Sequence, residues 1–361
     1  MSDQLSVRCK KAFGNGGALN VDFVLSVASS RVLVVFGPSG AGKTTLLRCL
    51  AGLDPIDSGR ITFGSEVWED ADRRIRVAPQ KRSLGYVSQD FALFPHMSIA
   101  DNIAFGLPRN GQAASRVDEI LSRMEIAELR TRRPSQISGG QQQRVALGRA
   151  LVRKPRLLLL DEPFASLDRP IRQRLLRFCS RLFGELPGAA VLVTHDWEEA
   201  LTLGDELLVL SEGRVLQQGA PDVVFSRPSE LEVASAVGVE TIVRGRVVRQ
   251  VNQLVEVDVG RTSLWALGGA QTRGEYYCCV RASDVVLEVG GAERSSARNH
   301  LPGVVSQVSP QGELYRIEVD VGFVIAALVT GASRLEMGLE PGRPVRAVVK
   351  APAIHLIEAP A

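Results

Sequence analysis

The sequence predicts an α/β domain organised on a parallel sheet, followed by a smaller β-rich domain. Three observations point there. A glycine-rich turn, Gly37 to Thr45, lies between an apolar strand pattern and an apolar helix pattern. A continuous apolar run, Leu157 to Leu160, has the character of a central parallel strand buried on both faces. Beyond residue 235, helical periods give way to short valine-rich segments separated by glycine turns. A chain of 361 residues is long enough for two or three domains.

The opening stretch, LSVRCKKAF then GGALNVDFVLSVASSRVLVVF, reads as short strands joined by a glycine turn. Phe13, on a sheet edge near the glycine-rich turn, can stack on an adenine ring or serve as core. The turn itself, FGPSGAGKTTLL, has the G-x-x-x-x-G-K-[ST] spacing of a phosphate-binding loop. Gly37, Gly40 and Gly42 leave the backbone bare where it must pass close to an anion, and the loop and helix amides point at the phosphates. Lys43 would reach the β- and γ-phosphates and the Thr44 hydroxyl would hold Mg²⁺. LLRCLAGL continues as an apolar helix stopped by Pro55 and Gly59, and GRITFGSEVWED reads as strand and hairpin. The basic run ADRRIRVAPQKR reads as a solvated loop.

LGYVSQD, Leu84 to Asp90, is expected as a strand with Gln89 near its carboxyl end, the edge where α/β ligands bind; its side-chain oxygen can coordinate Mg²⁺ or hold a water. FALFPHMSIADNIAFGL is expected to expose several large apolar residues, as a partner surface or as ordinary packing. Residues 112 to 133 carry a helical stripe of Val117, Ile120, Leu121, Met124 and Ile126. Ser138 to Gln141 has capping-box spacing, so a helix is expected to begin there with free amides that Gly139 and Gly140 keep accessible to a γ-phosphate. At the carboxyl end of the 157–160 strand stand Asp161, placed to hold hydrated Mg²⁺, and Glu162, placed to polarise an attacking water. Ala165 to Asp168 can cap a helix or touch a neighbouring subunit, and residues 171 to 186 read as an amphipathic helix. AAVLVTHDWEEAL supplies a further strand ending at His195, which can hydrogen-bond a γ-phosphate or the attacking water, before a helix opened by acidic residues.

Composition narrows the classes. A net charge of +3 gives no footprint for nucleic acid. Five cysteines and four histidines lie scattered without metal-ligand spacing, which argues against a zinc site or a disulfide framework and for a reducing compartment. Adjacent Cys278 and Cys279 point to opposite faces of a strand, so at least one is expected in the core. No stretch approaches a membrane span, and MSDQLSVRCKKAF lacks the apolar core of a signal peptide, so the chain is expected in the cytosol.

Over roughly residues 1 to 235 the chain resembles the ATP-binding subunits of ABC transporters. The match is a set: a Walker A stretch of Gly37, Pro38, Ser39, Gly40, Ala41, Gly42, Lys43, Thr44 and Thr45; a Q-loop Gln89; the signature ISGGQ with Ser138, Gly139, Gly140 and Gln141; a Walker B run ending in Asp161 and Glu162; a D-loop ASLD; and a switch His195. The resemblance implies a P-loop ATPase domain with a helical subdomain, ATP and Mg²⁺ as cofactors, and a head-to-tail homodimer in which one subunit's signature completes the other's site. It implies Glu162, His195 and Lys43 as catalytic, and Thr44, Gln89 and Asp161 around Mg²⁺. Isoleucine stands where leucine commonly precedes the signature serine, and Phe13 where a tyrosine often stacks on adenine.

The remainder, 236–361, resembles the TOBE domains of import ATPases, OB-like β-barrels, and contains two related copies at about 240–290 and 296–358. VRGRVVRQV with VEVDVG echoes LPGVVSQV with IEVDVG, and CVRASDVVL echoes AVVKAPAIHL. The second copy opens with SARNHLPGVV, which is similar to the Mop-type units of molybdate-handling proteins. Ser296, Arg298 and the amides near Asn299 are donors of the kind that hold a tetrahedral oxyanion; a turn cap and a solvated charge are the plainer alternative. The expected function is thus ATP hydrolysis energising molybdate import, beneath two permease subunits at the cytoplasmic face of the inner membrane, with an extracytoplasmic binding protein delivering substrate and molybdate or tungstate a candidate ligand of the C-terminal domain. Sulfate, ferric iron, polyamine or sugar import, and an oxyanion-storage protein, are the alternatives. A soluble ATPase of DNA repair or translation would carry an inserted coiled coil or a second ATPase domain, neither of which the sequence shows.

Overall fold

A computed structural model describes residues 4–14, 16–26, 32–108, 113–165, 167–268, 273–290 and 295–359. The chain divides into two compact units, Met1–Val224 and Phe225–Ala361. That division falls ahead of the one expected near residue 235: Ala234 packs with Cys279 and Ile357 of the second unit.

The first unit starts with strands β1 (Gln4–Ala12), β2 (Ala18–Ser26) and β3 (Val32–Phe36), and helix α1 (Lys43–Ala51). β4 (Ser58–Phe63), β5 (Glu66–Asp70), β6 (Ile75–Arg76) and β7 (Leu84–Val87) follow, then helices α2 (Ile99–Ala104), α3 (Ala113–Arg123) and α4 (Gly139–Leu151). The unit continues through β8 (Leu157–Asp161), α5 (Arg169–Gly184), β9 (Ala189–Thr194), α6 (Trp197–Leu203), β10 (Glu206–Ser211) and β11 (Arg214–Gly219). Among the described residues these strands form one sheet in the order β6-β5-β4-β1-β2-β11-β10-β3-β9-β8-β7. β10, β3, β9, β8 and β7 run parallel. β3, β8 and β9 are buried at every position, which their unbroken apolar runs require. β1 and β2 alternate buried and exposed residues, as an antiparallel arm with one solvated face does.

Three expectations need correction. The strand at Leu84 ends at Val87, so Gln89 sits in the exposed turn beyond it rather than in the strand. The basic run 71–82 is exposed over residues 72–76 and at 80 and 81, as a solvated loop is, but its last member is not. Arg82 is buried, pairs with Glu69 at 2.9 Å, and donates to the carbonyls of Cys49 and Leu50 at the end of α1, where Arg76 also reaches Gly52. The segment 91–107 exposes fewer large apolar residues than expected: Phe91, Ile99 and Ile103 are buried, Leu93, Phe94, Met97 and Leu107 are half-buried, and Phe105 is its one strongly exposed large apolar residue. The stripe of Val117, Ile120, Leu121, Met124 and Ile126 is buried as expected, although α3 stops before the last two. No helix among the described residues is long and apolar enough to cross a membrane.

Short helices α7 (Pro221–Ser226) and α8 (Leu231–Ala236) precede the strands of the second unit. These are β12 (Thr241–Val251), β13 (Leu254–Asp258), β14 (Ser263–Leu267), β15 (Glu275–Val280) and β16 (Val286–Glu288). After them come β17 (Asn299–Gln311), β18 (Leu314–Asp320), β19 (Val324–Thr330), helix α9 (Gly331–Met337), β20 (Pro344–Val349) and β21 (His355–Glu358). They form two five-stranded sheets, β14-β13-β12-β15-β21 and β16-β20-β17-β18-β19. The duplication is visible in detail. Gly245 and Gly303 each lie where a side chain would strike the carbonyl of Asp258 or Asp320. Those aspartates each accept the amide two residues on, from Gly260 and Gly322, at 2.9 Å. The ladder bulges after Val247 in one copy and after Val305 in the other. The last strand of each copy, however, joins the sheet of the other: β16 pairs with β20, and β21 with β15. One core, running from Val255 and Leu264 to Ile317 and Val345, serves both sheets. Both Cys278 and Cys279 are buried, in separate clusters on opposite faces of β15.

Candidate functional site

The phosphate loop links β3 to α1 and takes its shape from its glycines. Gly40 and Gly42 have φ of 82° and 98°, left-handed values that favour glycine. A side chain on Gly37 would collide with the carbonyl of Leu210 in the adjacent β10. Gly42 also admits Phe13, whose ring tip would stand 3.1 Å from a methyl group there. Phe13 is half-buried, packed against the core beside the loop. Pro38, Ser39 and Ala41 fill the turn, and the Ala41 amide donates to the Pro38 carbonyl.

Lys43 is buried and folded back onto the loop, its Nζ donating to the carbonyls of Gly37 at 2.8 Å and Pro38 at 2.9 Å. Burial depresses its pKa, and the nearby Glu162 and Asp161 work in the opposite sense. The Thr44 hydroxyl, one residue on, donates to Asp161 Oδ1 at 2.9 Å. Thr45 lies in the first turn of α1.

Asp161 closes β8, and burial raises its pKa while the hydroxyls of Thr44 and Tyr86 lower it. The Tyr86 hydroxyl donates to the other carboxylate oxygen at 3.3 Å. Tyr86 is a site residue that sequence reasoning misses. It lies opposite Leu159 in the parallel register of β7 and β8, so its nearness to Asp161 emerges only once the sheet is formed.

Glu162 follows with a left-handed φ of 42°, its amide donating to the Val193 carbonyl at 3.1 Å. Its Oε1 lies 3.3 Å from Nδ1 of His195, which stands just past β9 and is more than half exposed. The neighbours of His195 are anchored. The Thr194 hydroxyl donates to buried Glu199 at 2.6 Å, and Asp196 caps α6 while accepting from Arg172 at 2.9 Å. Strand ends thus bring Lys43, Thr44, Asp161, Glu162 and His195 into one cluster. Gln89 lies exposed in the turn that follows β7.

Ser138 and Gln141 form the expected capping box, with the Ser138 amide donating to Gln141 Oε1 at 2.9 Å and the Gln141 amide to Ser138 Oγ at 3.4 Å. Ser138 and Gly139 are exposed, but Gly140 is buried: a methyl group there would meet Ile171 at 2.7 Å, so this glycine serves helix packing as well as amide access. Asp168 caps α5 by accepting the Ile171 amide at 3.0 Å, whereas Ser166 of the same stretch lies outside the described residues. In the second unit, Asn299 is committed to structure. Its side chain accepts the Trp265 amide at 2.6 Å and donates to the carbonyls of Trp265 and Val349. Ser296 and Arg298 are exposed.

The residues fit a magnesium nucleotide. Asp161 is buried with hydroxyls as its bonded partners, so its charge is available to a divalent cation, and hydroxyl and carboxylate oxygens are the hard donors Mg²⁺ takes alongside phosphate and water. The ammonium of Lys43 is presented in a loop whose carbonyls hold it in place.

Comparison with known proteins agrees with this geometry. Residues 21–165 match the ABC transporter family and residues 295–356 the TOBE domain family. The molybdate/tungstate import ATP-binding protein WtpC of Pyrococcus horikoshii is 38% identical over 90% of this chain and 91% of its own length. The sulfate/thiosulfate import ATP-binding protein CysA of Nocardia farcinica is 38% identical over 89% of this chain and 96% of its own. The molybdenum import ATP-binding protein ModC of Pseudomonas fluorescens is 37% identical over 92% and 95%. Among solved structures, cbiO1 of Clostridium perfringens, part of the ABC transporter complex cbiONQ, superposes with a TM-score of 0.55 at 30% identity, over 65% of this chain and 94% of that one.

Proposed function

The chain belongs to the import-type ATP-binding subunits of ABC transporters, carrying a TOBE domain, and from that premise we propose that it hydrolyses Mg-ATP at the Lys43–Asp161–Glu162 cluster to drive import of a tetrahedral oxyanion, molybdate in the first place. The observation that carries the catalytic part is the convergence of Lys43, Thr44, Asp161, Glu162 and His195 from separate strand ends.

In this reading the loop from Gly37 to Thr45 wraps the phosphates, Lys43 leaves its two carbonyls for the β- and γ-phosphates, and Phe13 stacks on adenine. Thr44, Asp161 and Gln89 would hold Mg²⁺, which when bound would neutralise charge on the phosphates. Glu162 takes a proton from the attacking water, and His195 orients that water or the γ-phosphate. Ser138, Gly139, Gly140 and Gln141 complete the site of a second copy, so that ATP closes a homodimer. Two permease subunits and an extracytoplasmic binding protein make up the rest of the importer, with this chain at the cytoplasmic face of the membrane. Phe105, exposed beside half-buried Phe94, is the residue of the 91–107 segment best placed to meet a permease.

The oxyanion assignment draws on the relatives, whose names specify molybdate, tungstate, molybdenum, sulfate or thiosulfate, and molybdate on the SARN segment that opens β17. Replacing Glu162 by Gln tests the ATPase site: nucleotide should still bind while turnover falls at least about 100-fold, and undiminished turnover would remove Glu162 from its role. Calorimetric titration of the full chain with molybdate, tungstate and sulfate tests the cargo. Selective binding of molybdate or tungstate supports the assignment; binding of sulfate alone removes molybdate, and binding of none withdraws the support that the SARN segment lends it.

A further inference from the structure

The turn that carries Gln89 runs into two consecutive strained residues. Phe91 and Ala92 have φ of 60° and 43°, the left-handed region that a side chain disfavours, and both carry one. Such a pair persists where its surroundings impose it. Here the imposing group is Arg149, whose guanidinium donates to the Phe91 and Ala92 carbonyls, each at 2.7 Å, and lies 5.6 Å over the Phe94 ring. On the far side, buried Asn102 accepts the Phe94 amide at 2.8 Å and donates to the Phe94 and Ser98 carbonyls. Arg149 belongs to the last turn of α4, the helix capped at its other end by Ser138. A helix of 13 residues is a rod about 20 Å long. The Gln89 turn and the Ser138–Gln141 cap are therefore attached to the two ends of one rigid element.

We propose that Arg149 is a positioning residue that holds the Gln89 turn in register with α4, so that a magnesium ligand of one ATP site and the cap serving the partner's site move as a unit. The inference rests on the ATPase reading above. Lysine at this position keeps the charge but cannot bridge both carbonyls with a planar fork.

The test uses the full chain with Arg149→Lys, Arg149→Gln, and Arg149→Lys combined with Ala92→Gly. Mn²⁺ is titrated into the ADP complex and followed by electron paramagnetic resonance, and amide hydrogen exchange is followed across residues 88–94. The expected result is an Mn²⁺ affinity weakened about 10- to 100-fold in both single variants, with ADP affinity in chelator unchanged and exchange at 88–94 accelerated. Ala92→Gly should recover part of the loss, because glycine takes the left-handed conformation without being held there. Unchanged Mn²⁺ affinity in the lysine variant overturns the proposal, as does a loss that Ala92→Gly leaves untouched. Should the glutamine variant fail to fold, the lysine pair decides alone. A wild-type chain that neither hydrolyses ATP nor binds Mn²⁺ with ADP would instead sink the ATPase reading itself.

Discussion

Replacing Arg82 by Met should destabilise the ATP-binding unit more than any single surface change. The guanidinium is fully buried and pairs with Glu69 at 2.9 Å, while its remaining hydrogens go to the carbonyls of Cys49, Leu50, Val77 and Trp68. Two of those carbonyls end the helix that starts at the phosphate loop. Methionine fills the stem's volume but strands a buried carboxylate that would retain the Ile56 amide as its bonded partner. Removing one member of a buried pair costs about 3–5 kcal/mol. For a unit of this size about 2–4 °C of melting temperature accompanies each kcal/mol, so a fall of roughly 6–20 °C is expected. Calorimetry on the whole chain, with the ATP-binding unit's transition identified by its upward shift in Mg-ATP, makes the measurement. Replacing both Arg82 and Glu69 by Met should recover much of the loss, since no charge is then left buried and alone. A fall below about 3 °C for Arg82→Met, or a double variant no better than the single one, would refute the reasoning.

Other outcomes follow from the same contacts. Ser138→Ala should cost about 1 kcal/mol through its lost cap and abolish turnover by itself, as a Lys43 variant does, while mixing the two chains should restore turnover at the one site where an intact Lys43 meets an intact Ser138; no recovery on mixing would remove the head-to-tail arrangement. Gly140→Ala should cost about 1–3 kcal/mol by overpacking against Ile171, seen as a lowered denaturation midpoint. Glu199 is pushed up to about 7 from 4.5 by burial, with Asp196 and Glu162 adding to the rise and Thr194 and Arg172 opposing it. The folded chain therefore binds this proton more tightly than the unfolded one, and stability is greatest below the unfolded pKa and falls as pH rises toward about 7. At about 1.4 kcal/mol per unit the loss is about 3 kcal/mol. Glu199→Gln should flatten that part of the stability profile, and an unchanged profile would count against it.

What is legible in the sequence is the chemistry that admits few residue types. A phosphate loop needs glycines, lysine and threonine at set offsets, and the continuous apolar run before Asp161 has the length and composition of a doubly buried strand. What is not legible depends on partners distant in sequence. Arg82 looks like one more charge in a basic run because its acceptors, Cys49 and Leu50, belong to a helix that precedes it by some thirty residues. Phe91, Ile99 and Ile103 look like an exposed patch because a turn and a helix of only six residues, α2, are too short to show a period. The duty of the Asn299 side chain, bonding β14 to β17 and β20, leaves no mark in the sequence either, because it depends on strands that come together only in three dimensions.

The exchange of closing strands in the second unit yields a prediction that duplication alone would not. Two copies of a β-unit joined in tandem are ordinarily expected to fold separately, each with its own core. Here β16, from the first copy, completes the sheet of the second, and β21, from the second, completes that of the first. Without β21 the first sheet would expose the edge of β15 with its row of unpaired backbone groups, and an isolated first copy would also lose Ile317, Val319 and Ile325 from the far side of the shared core. Neither 240–290 nor 296–358 should therefore fold when produced by itself, whereas residues 225–361 should unfold in one cooperative step whose calorimetric and van't Hoff enthalpies agree. Asn299→Ala, which removes bonds between β14 of one sheet and β17 and β20 of the other, should lower that single transition as a whole. Two separable transitions, or a folded isolated copy, would mean that the exchanged strands are incidental to stability.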